Sequence, residues 1–165
     1  MDLASTNDYT VVTVLDVTSP VVAVQVYLDR FTNIGWRPQL DRIAEVVLRY
    51  NPDLVQVDRT GLGDMPFVEL AQALPGANVW GIAFNHGNKL EMVQALMLAF
   101  ERGKIHVLPD PAQKAELKGY EAHRRPTGTF SYSAPAGRHD DCVVALMLAY
   151  AAVDEQTWGI VDLRS

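Results

Sequence analysis

The chain has 165 residues, 48% of them hydrophobic and 21% charged, and a formal net charge of −6 at pH 7; that is enough for one domain with a substantial core and is ordinary globular composition. The charge argues against binding nucleic acid through overall field, though not through a local basic patch. The single Cys142 excludes an internal disulfide and a cysteine-rich zinc site.

No charged-then-apolar leader opens the chain, and its most apolar runs, 90–100 and 143–153, are too short to span a bilayer. An intracellular compartment is the expectation. There is no internal repeat and no low-complexity segment.

Met1 to Ala4, ahead of the polar turn Ser5-Thr6-Asn7-Asp8, reads as the end of a strand. Tyr9–Val17 is rich in β-branched residues and predicts a second strand. Thr18-Ser19-Pro20 is turn chemistry, and Val21–Leu28 predicts the strand that completes a hairpin. Pro38 is placed at the first position of a helix, with Leu40, Ile43, Val46, Val47 and Tyr50 as its apolar stripe, and Asn51-Pro52 ends it. Asp53–Asp58 is a short strand closing on a carboxylate. Thr60–Asp64 is a tight loop. Pro66 opens a helix with Phe67, Leu70, Ala71 and Leu74 inward, stopped by Pro75-Gly76.

Val79–Phe84 is the next strand. Asn88 and Glu91 suggest a capping box for a helix that buries Leu90, Val93, Leu96, Met97 and Phe100 and stops near Gly103. Ile105–Leu108 is a strand. Asp110-Pro111 caps and opens a helix to about Tyr120. His123–Gly128 reads as a basic loop and Phe130–Ser133 as an extended segment. The last helix runs from Asp140 to about Val153, followed by a polar tail, 154–165, containing Trp158. Helices interleaved with strands after Asn51 imply parallel pairing and a layered α/β fold, with a site at the carboxyl ends of strands.

Four carboxylates then draw together on paper. Asp2 lies in the first strand, Asp58 ends the fourth, and Asp140 and Asp141 open the last helix. One Asp at a helix N-terminus is ordinary capping; two, preceded by Arg138 and His139, exceed what a cap requires. Clustered carboxylates repel and ionise together only around a cation. Oxygen donors suit Mg²⁺ or Mn²⁺, and two such ions about 4 Å apart can activate water and stabilise a phosphodiester's leaving oxygen. Spacing alone does not separate such a site from unrelated surface aspartates.

Three stretches carry a resemblance. Asp2-Leu3-Ala4 with Asn7-Asp8-Tyr9-Thr10, Val57-Asp58-Arg59-Thr60-Gly61-Leu62-Gly63, and Gly137-Arg138-His139-Asp140-Asp141-Cys142-Val143 resemble, in order and approximate spacing, three motifs of the nuclease domain of phage terminase large subunits. The resemblance implies an RNase H-like fold, a central mixed sheet with its second strand antiparallel, flanked by helices, over residues 1–153. It implies a Mg²⁺- or Mn²⁺-dependent endonuclease, with two ions, cutting concatemeric double-stranded viral DNA during packaging in the host cytoplasm at the procapsid portal. Its partners would be an ATPase motor domain, a small terminase subunit and a portal protein.

Carried over by motif, Asp2, Asp58 and Asp141 are the expected metal ligands. Asp140 is expected to be auxiliary, because adjacent helix residues point more than a quarter-turn apart. No Walker-type glycine-lysine loop is present, so the sequence reads as the nuclease part alone. With only Met1 ahead of it, Asp2 is expected on a frayed strand end.

The remaining residues admit two readings each. His139 orients Asp141 or a phosphate, or merely serves the helix end. Arg124, Arg125 and Arg138 contact DNA phosphates or carry solvated charge. Lys89 meets phosphate near the site or is a first-turn surface lysine. Arg59 pairs with a carboxylate or touches substrate. Gly61 and Gly63 give a tight loop its backbone freedom, or let DNA come close. Rival functions on the same residues are a junction resolvase or transposase-type nuclease, and a non-catalytic module docking on a capsid or portal protein.

Overall fold

The computed structural model describes residues 1–3, 9–60, 64–124 and 130–154. β1 (Thr10–Asp16) and β2 (Ala23–Phe31) pair antiparallel, from Thr10 opposite Phe31 to Asp16 opposite Val24. β2 continues in parallel to β5 (Ile105–His106). β3 (Val55–Asp58) and β4 (Val79–Ile82) pair in parallel. The mixed pairing is that of the expected α/β, RNase H-like class.

Residues 1–3 join the two sheets. The Asp2 N–H donates to Val11 O at 2.9 Å and Val11 N–H to Asp2 O at 2.8 Å, an antiparallel bridge to β1. On the other side the Met1 amino nitrogen donates to Gln56 O at 2.6 Å, and Asp58 N–H donates to Met1 O at 3.1 Å. Met1 and Leu3 are buried. The expected frayed end is therefore corrected: ladder bonds on both edges and two buried side chains hold Asp2 in place.

Helices cover both faces. α1 (Trp36–Tyr50) and α2 (Asp64–Ala73) close one core around Leu40, Ile43, Val46, Val57 and Leu70. α3 (His86–Glu101) and α5 (Asp141–Ala151) close another around Met92, Leu96, Ile105, Leu146 and Leu148. α5 is apolar on every side, and such a helix has to be buried. All its residues from Asp141 to Leu148 are. It packs on β1 and β3 and against α3 and α4 (Pro111–Gly119).

Several element boundaries differ from expectation. α1 begins at Trp36, so Pro38 sits third in the first turn, where its missing N–H is still harmless. The capping box of α3 lies one turn earlier than expected: Asn85 accepts from Gly87 and Asn88 N–H, and the Asn88 side chain takes the Asn85 N–H. Met97 and Phe100, expected inside, are exposed, while Met92 and Ala99 are buried. β5 stops after His106, and the Leu108 N–H goes to the Gln25 side-chain carbonyl.

The start of the expected basic loop is also a strand. β6 (Glu121–Arg124) pairs antiparallel with β7 (Phe130–Ser133). The 3-10 turn Ala152–Asp154 follows α5; the tail with Trp158 lies outside the described residues. No described helix is long and apolar enough to cross a membrane.

Candidate metal centre

Three different parts of the chain bring carboxylates within one another's electrostatic reach. Asp2 is fixed by the two-sided bridge. Asp58 is the last residue of β3, and its Oδ1 accepts the Thr60 N–H at 2.6 Å in an Asx turn. The Thr60 hydroxyl in turn accepts from Phe84 N–H at 2.8 Å, tying the segment after β3 to the one after β4. Asp141 is the first residue of α5, only 4% exposed. Asp140 is its N-cap, yet its side chain makes no capping bond; its Oδ2 accepts a long bond, 3.4 Å, from Ala134 N–H.

The electrostatics record the convergence. Asp2 is pushed up to about 8, first by burial, then by the fields of Asp58, Asp141 and Asp140, with the Met1 amino group opposing. Burial also raises Asp58, while the Thr60 hydrogen bonds and the Lys89 charge pull it down. Lys89, in the first turn of α3, thus acts on Asp58 from a distance, its Nζ lying 5.8 Å from the centre of the Phe84 ring. His139 Nδ1 stands 3.5 Å from Asp141 Oδ2, and its ring meets Tyr9 edge-on at 5.1 Å.

The donor set is all oxygen, the chemistry that hard divalent cations select. Burial raises Asp2 most, and the neighbouring carboxylates add to it; a divalent cation among them would relieve that repulsion. Among the described residues no three His, Cys, Asp or Glu side chains are already closed into an ion cage. The carboxylates stand within one another's fields without being drawn onto a common point.

Other sequence candidates are placed differently. Arg59 lays its stem so close to Gly81 that a Cβ there would fall 2.0 Å from its Cδ, and its guanidinium covers the Phe67 ring at 5.1 Å. Arg124 and Arg138 are exposed, the first on β6 and the second two residues before Asp140. Gly61, Gly63 and Arg125 lie outside the described residues.

Sequence reasoning missed Glu116 and Arg30 and gave Tyr9 no role beyond its place in the first motif; all three surround the start of α5. Glu116 reads as the polar face of a short helix, and nothing in its local pattern marks it. The Asx turn had a signal: an Asp at a strand end can take the backbone N–H two residues on, here that of Thr60.

The model of the family described as "Terminase RNaseH-like domain" matches residues 1–152. The terminase large subunit of Thermus phage G20c is 28% identical over 151 residues, 91% of this chain; this chain spans 30% of that relative's length. The crystal structure of the large terminase nuclease from thermophilic phage G20c with bound magnesium superposes with a TM-score of 0.79 at 28% identity, covering 91% of this chain and 77% of that one. The HK97 bacteriophage large terminase shares the fold, with a TM-score of 0.72 at 14% identity over 92% of this chain and 38% of that one.

Proposed function

Because the chain belongs to the terminase RNaseH-like domain family, we propose that it is the metal-dependent endonuclease portion of a terminase large subunit, hydrolysing phosphodiester bonds of double-stranded viral DNA. The observation that carries this is the placement of Asp2 on its bridge to β1, Asp58 at the end of β3 and Asp141 at the start of α5, three carboxylates from separate elements within electrostatic reach of one another. The similar nuclease from phage G20c is known with magnesium bound.

Asp2, Asp58 and Asp141 would hold Mg²⁺ or Mn²⁺, with Asp140 auxiliary. When bound, a pair of such ions supplies an activated water and stabilises the leaving oxygen. The chain's own residues do the rest. Thr60 N–H fixes one Asp58 oxygen and so aims the other. His139 faces Asp141 from the outer side. Lys89 supplies positive charge beside Asp58, where a DNA phosphate has to lie. Arg124, Arg125 and Arg138 would hold the flanking backbone phosphates, which position a duplex without reading its sequence.

The substrate in this reading is concatemeric DNA, cut during packaging at the procapsid portal in the host cytoplasm. An ATPase motor domain, a small subunit and the portal protein are the partners, and the nuclease unit is residues 1–153.

The test is plasmid cleavage in Mg²⁺ or Mn²⁺. Cutting that disappears with chelator and drops at least about 100-fold in Asp58→Ala and Asp141→Ala is expected. Cutting that persists in either variant overturns the assignment. So does the absence of both cutting and Mn²⁺ binding by the folded protein.

A further inference from the structure

We infer that Glu116 is a positioning residue for Asp141: from α4 it replaces the missing N-cap of α5 and so fixes where that carboxylate stands. The inference rests on Asp141 being a metal ligand and adds a residue that no motif contains.

A helix leaves its first N–H groups without partners, and the N-cap side chain normally accepts from the second or third. In α5 the N-cap is Asp140, and its side chain does not do this. The second N–H, that of Cys142, instead donates to Glu116 Oε2 at 2.7 Å. A carboxylate there also meets the positive end of the helix dipole. The Asp140 side chain, which does not cap its own helix, takes the Ala134 N–H instead.

Glu116 stands between α5 and the sheet: its Oε2 takes the Cys142 N–H, and its Oε1 meets Arg30 as an ion pair without a hydrogen bond. Its Oε1 lies 3.3 Å from Arg30 Nη2, and its side chain is 8% exposed. One turn earlier on the same face of α4, Gln113 exchanges two hydrogen bonds with Gln25, both 2.8 Å. Gln25 and Arg30 both belong to β2. So α4 is pinned to the sheet at 113 and 116, and the sheet-anchored carboxylate holds α5.

Arg30 closes the circle. Its guanidinium lies over the Tyr9 ring, 3.3 Å from the centroid, and Tyr9 meets His139, the neighbour of Asp141. Both flanks of Asp141 therefore lead back to the Arg30–Glu116 pair. Groups that orient a metal ligand in this way typically change metal affinity 10- to 100-fold when removed.

Two variants separate reach from charge. Glu116→Asp keeps the charge but withdraws the oxygen by one methylene. Glu116→Gln keeps an oxygen at the same reach. Mn²⁺ binding is titrated by electron paramagnetic resonance at 25 °C, well below melting, and amide exchange at Asp141, Cys142 and Val143 is followed without metal.

Glu116→Asp is expected to bind Mn²⁺ about 10-fold more weakly and to lose protection at Cys142, with Glu116→Gln within about threefold of wild type. A Glu116→Asp protein that melts lower but binds Mn²⁺ as wild type does overturns the inference, because the contact is then only structural. Loss in Glu116→Gln with Glu116→Asp binding as wild type overturns it too, because charge and not the cap then matters. If wild type binds no Mn²⁺, or binding survives Asp58→Ala, the metal reading fails instead. The metal-free exchange at Cys142 then still decides whether Glu116 caps α5.

Discussion

Asp2 is where burial and like charge act most strongly on one group. Its folded pKa, about 8, lies above the ordinary carboxylate value of 3.8. The folded protein therefore prefers its protonated form. That preference stabilises fully below about pH 4 and is lost as pH rises through about 8. In chelator, Asp2→Asn is expected to gain on wild type across that window, by the order of 1 kcal/mol per pH unit, read as a growing difference in melting temperature. Metal must displace the same proton, so Mn²⁺ affinity of wild type should climb from pH 6 and level off near pH 8. A flat profile would show that Asp2 is not in the ion's path. Asp58 and Asp141 were legible from strand-end and helix-start patterns, which are local. Glu116 was not, because its meaning comes from a helix that begins 25 residues later in the chain.

At the scale of elements, α3 depends on its cap to present Lys89. The Asn85 side chain satisfies two N–H groups of the first turn, and Lys89 N–H bonds back to Asn85 O at 3.1 Å. Asn85→Ala should cost about 1 kcal/mol in urea unfolding. Gly81 in β4 is a different kind of constraint, since Arg59 occupies the space a side chain would need. Gly81→Ala should cost about 1–3 kcal/mol by overpacking and swing Arg59 off the Phe67 ring, visible as altered Phe67 chemical shifts. The sequence marked α3 and its strand-to-helix order well but misjudged its start and its buried face. Asn85 and Asn88 offer the same chemistry three residues apart, and the helix is so apolar that periodicity cannot say which side is inside. The β6–β7 pair escaped because short, polar, fully exposed β6 has no hydrophobic alternation to betray it.

For the molecule as a whole, α5 is the axle between the two sheets and the helices above them. Leu146 is fully buried there, and Leu146→Ala should cost about 2–5 kcal/mol while leaving the carboxylates' chemistry intact. Retained Mn²⁺ affinity at low temperature would check the separation of core from site. The layered order of helices and strands was legible because alternation itself dictates parallel pairing. The stitching of residues 1–3 between β1 and β3 was not, since three residues carry no period.

That stitch also governs how the protein can be handled. Beside Met1 opens a cleft of about 1290 Å³ between β1 and β3, walled by Val46 and Tyr50 of α1 and by Ala149 and Tyr150 of α5. Residues joined at Met1 would change the buried nitrogen that donates to Gln56 O, so an affinity tag there is not inert. A leader of alternating valines should raise the melting temperature by extending the ladder, and a Gly-Ser leader should not.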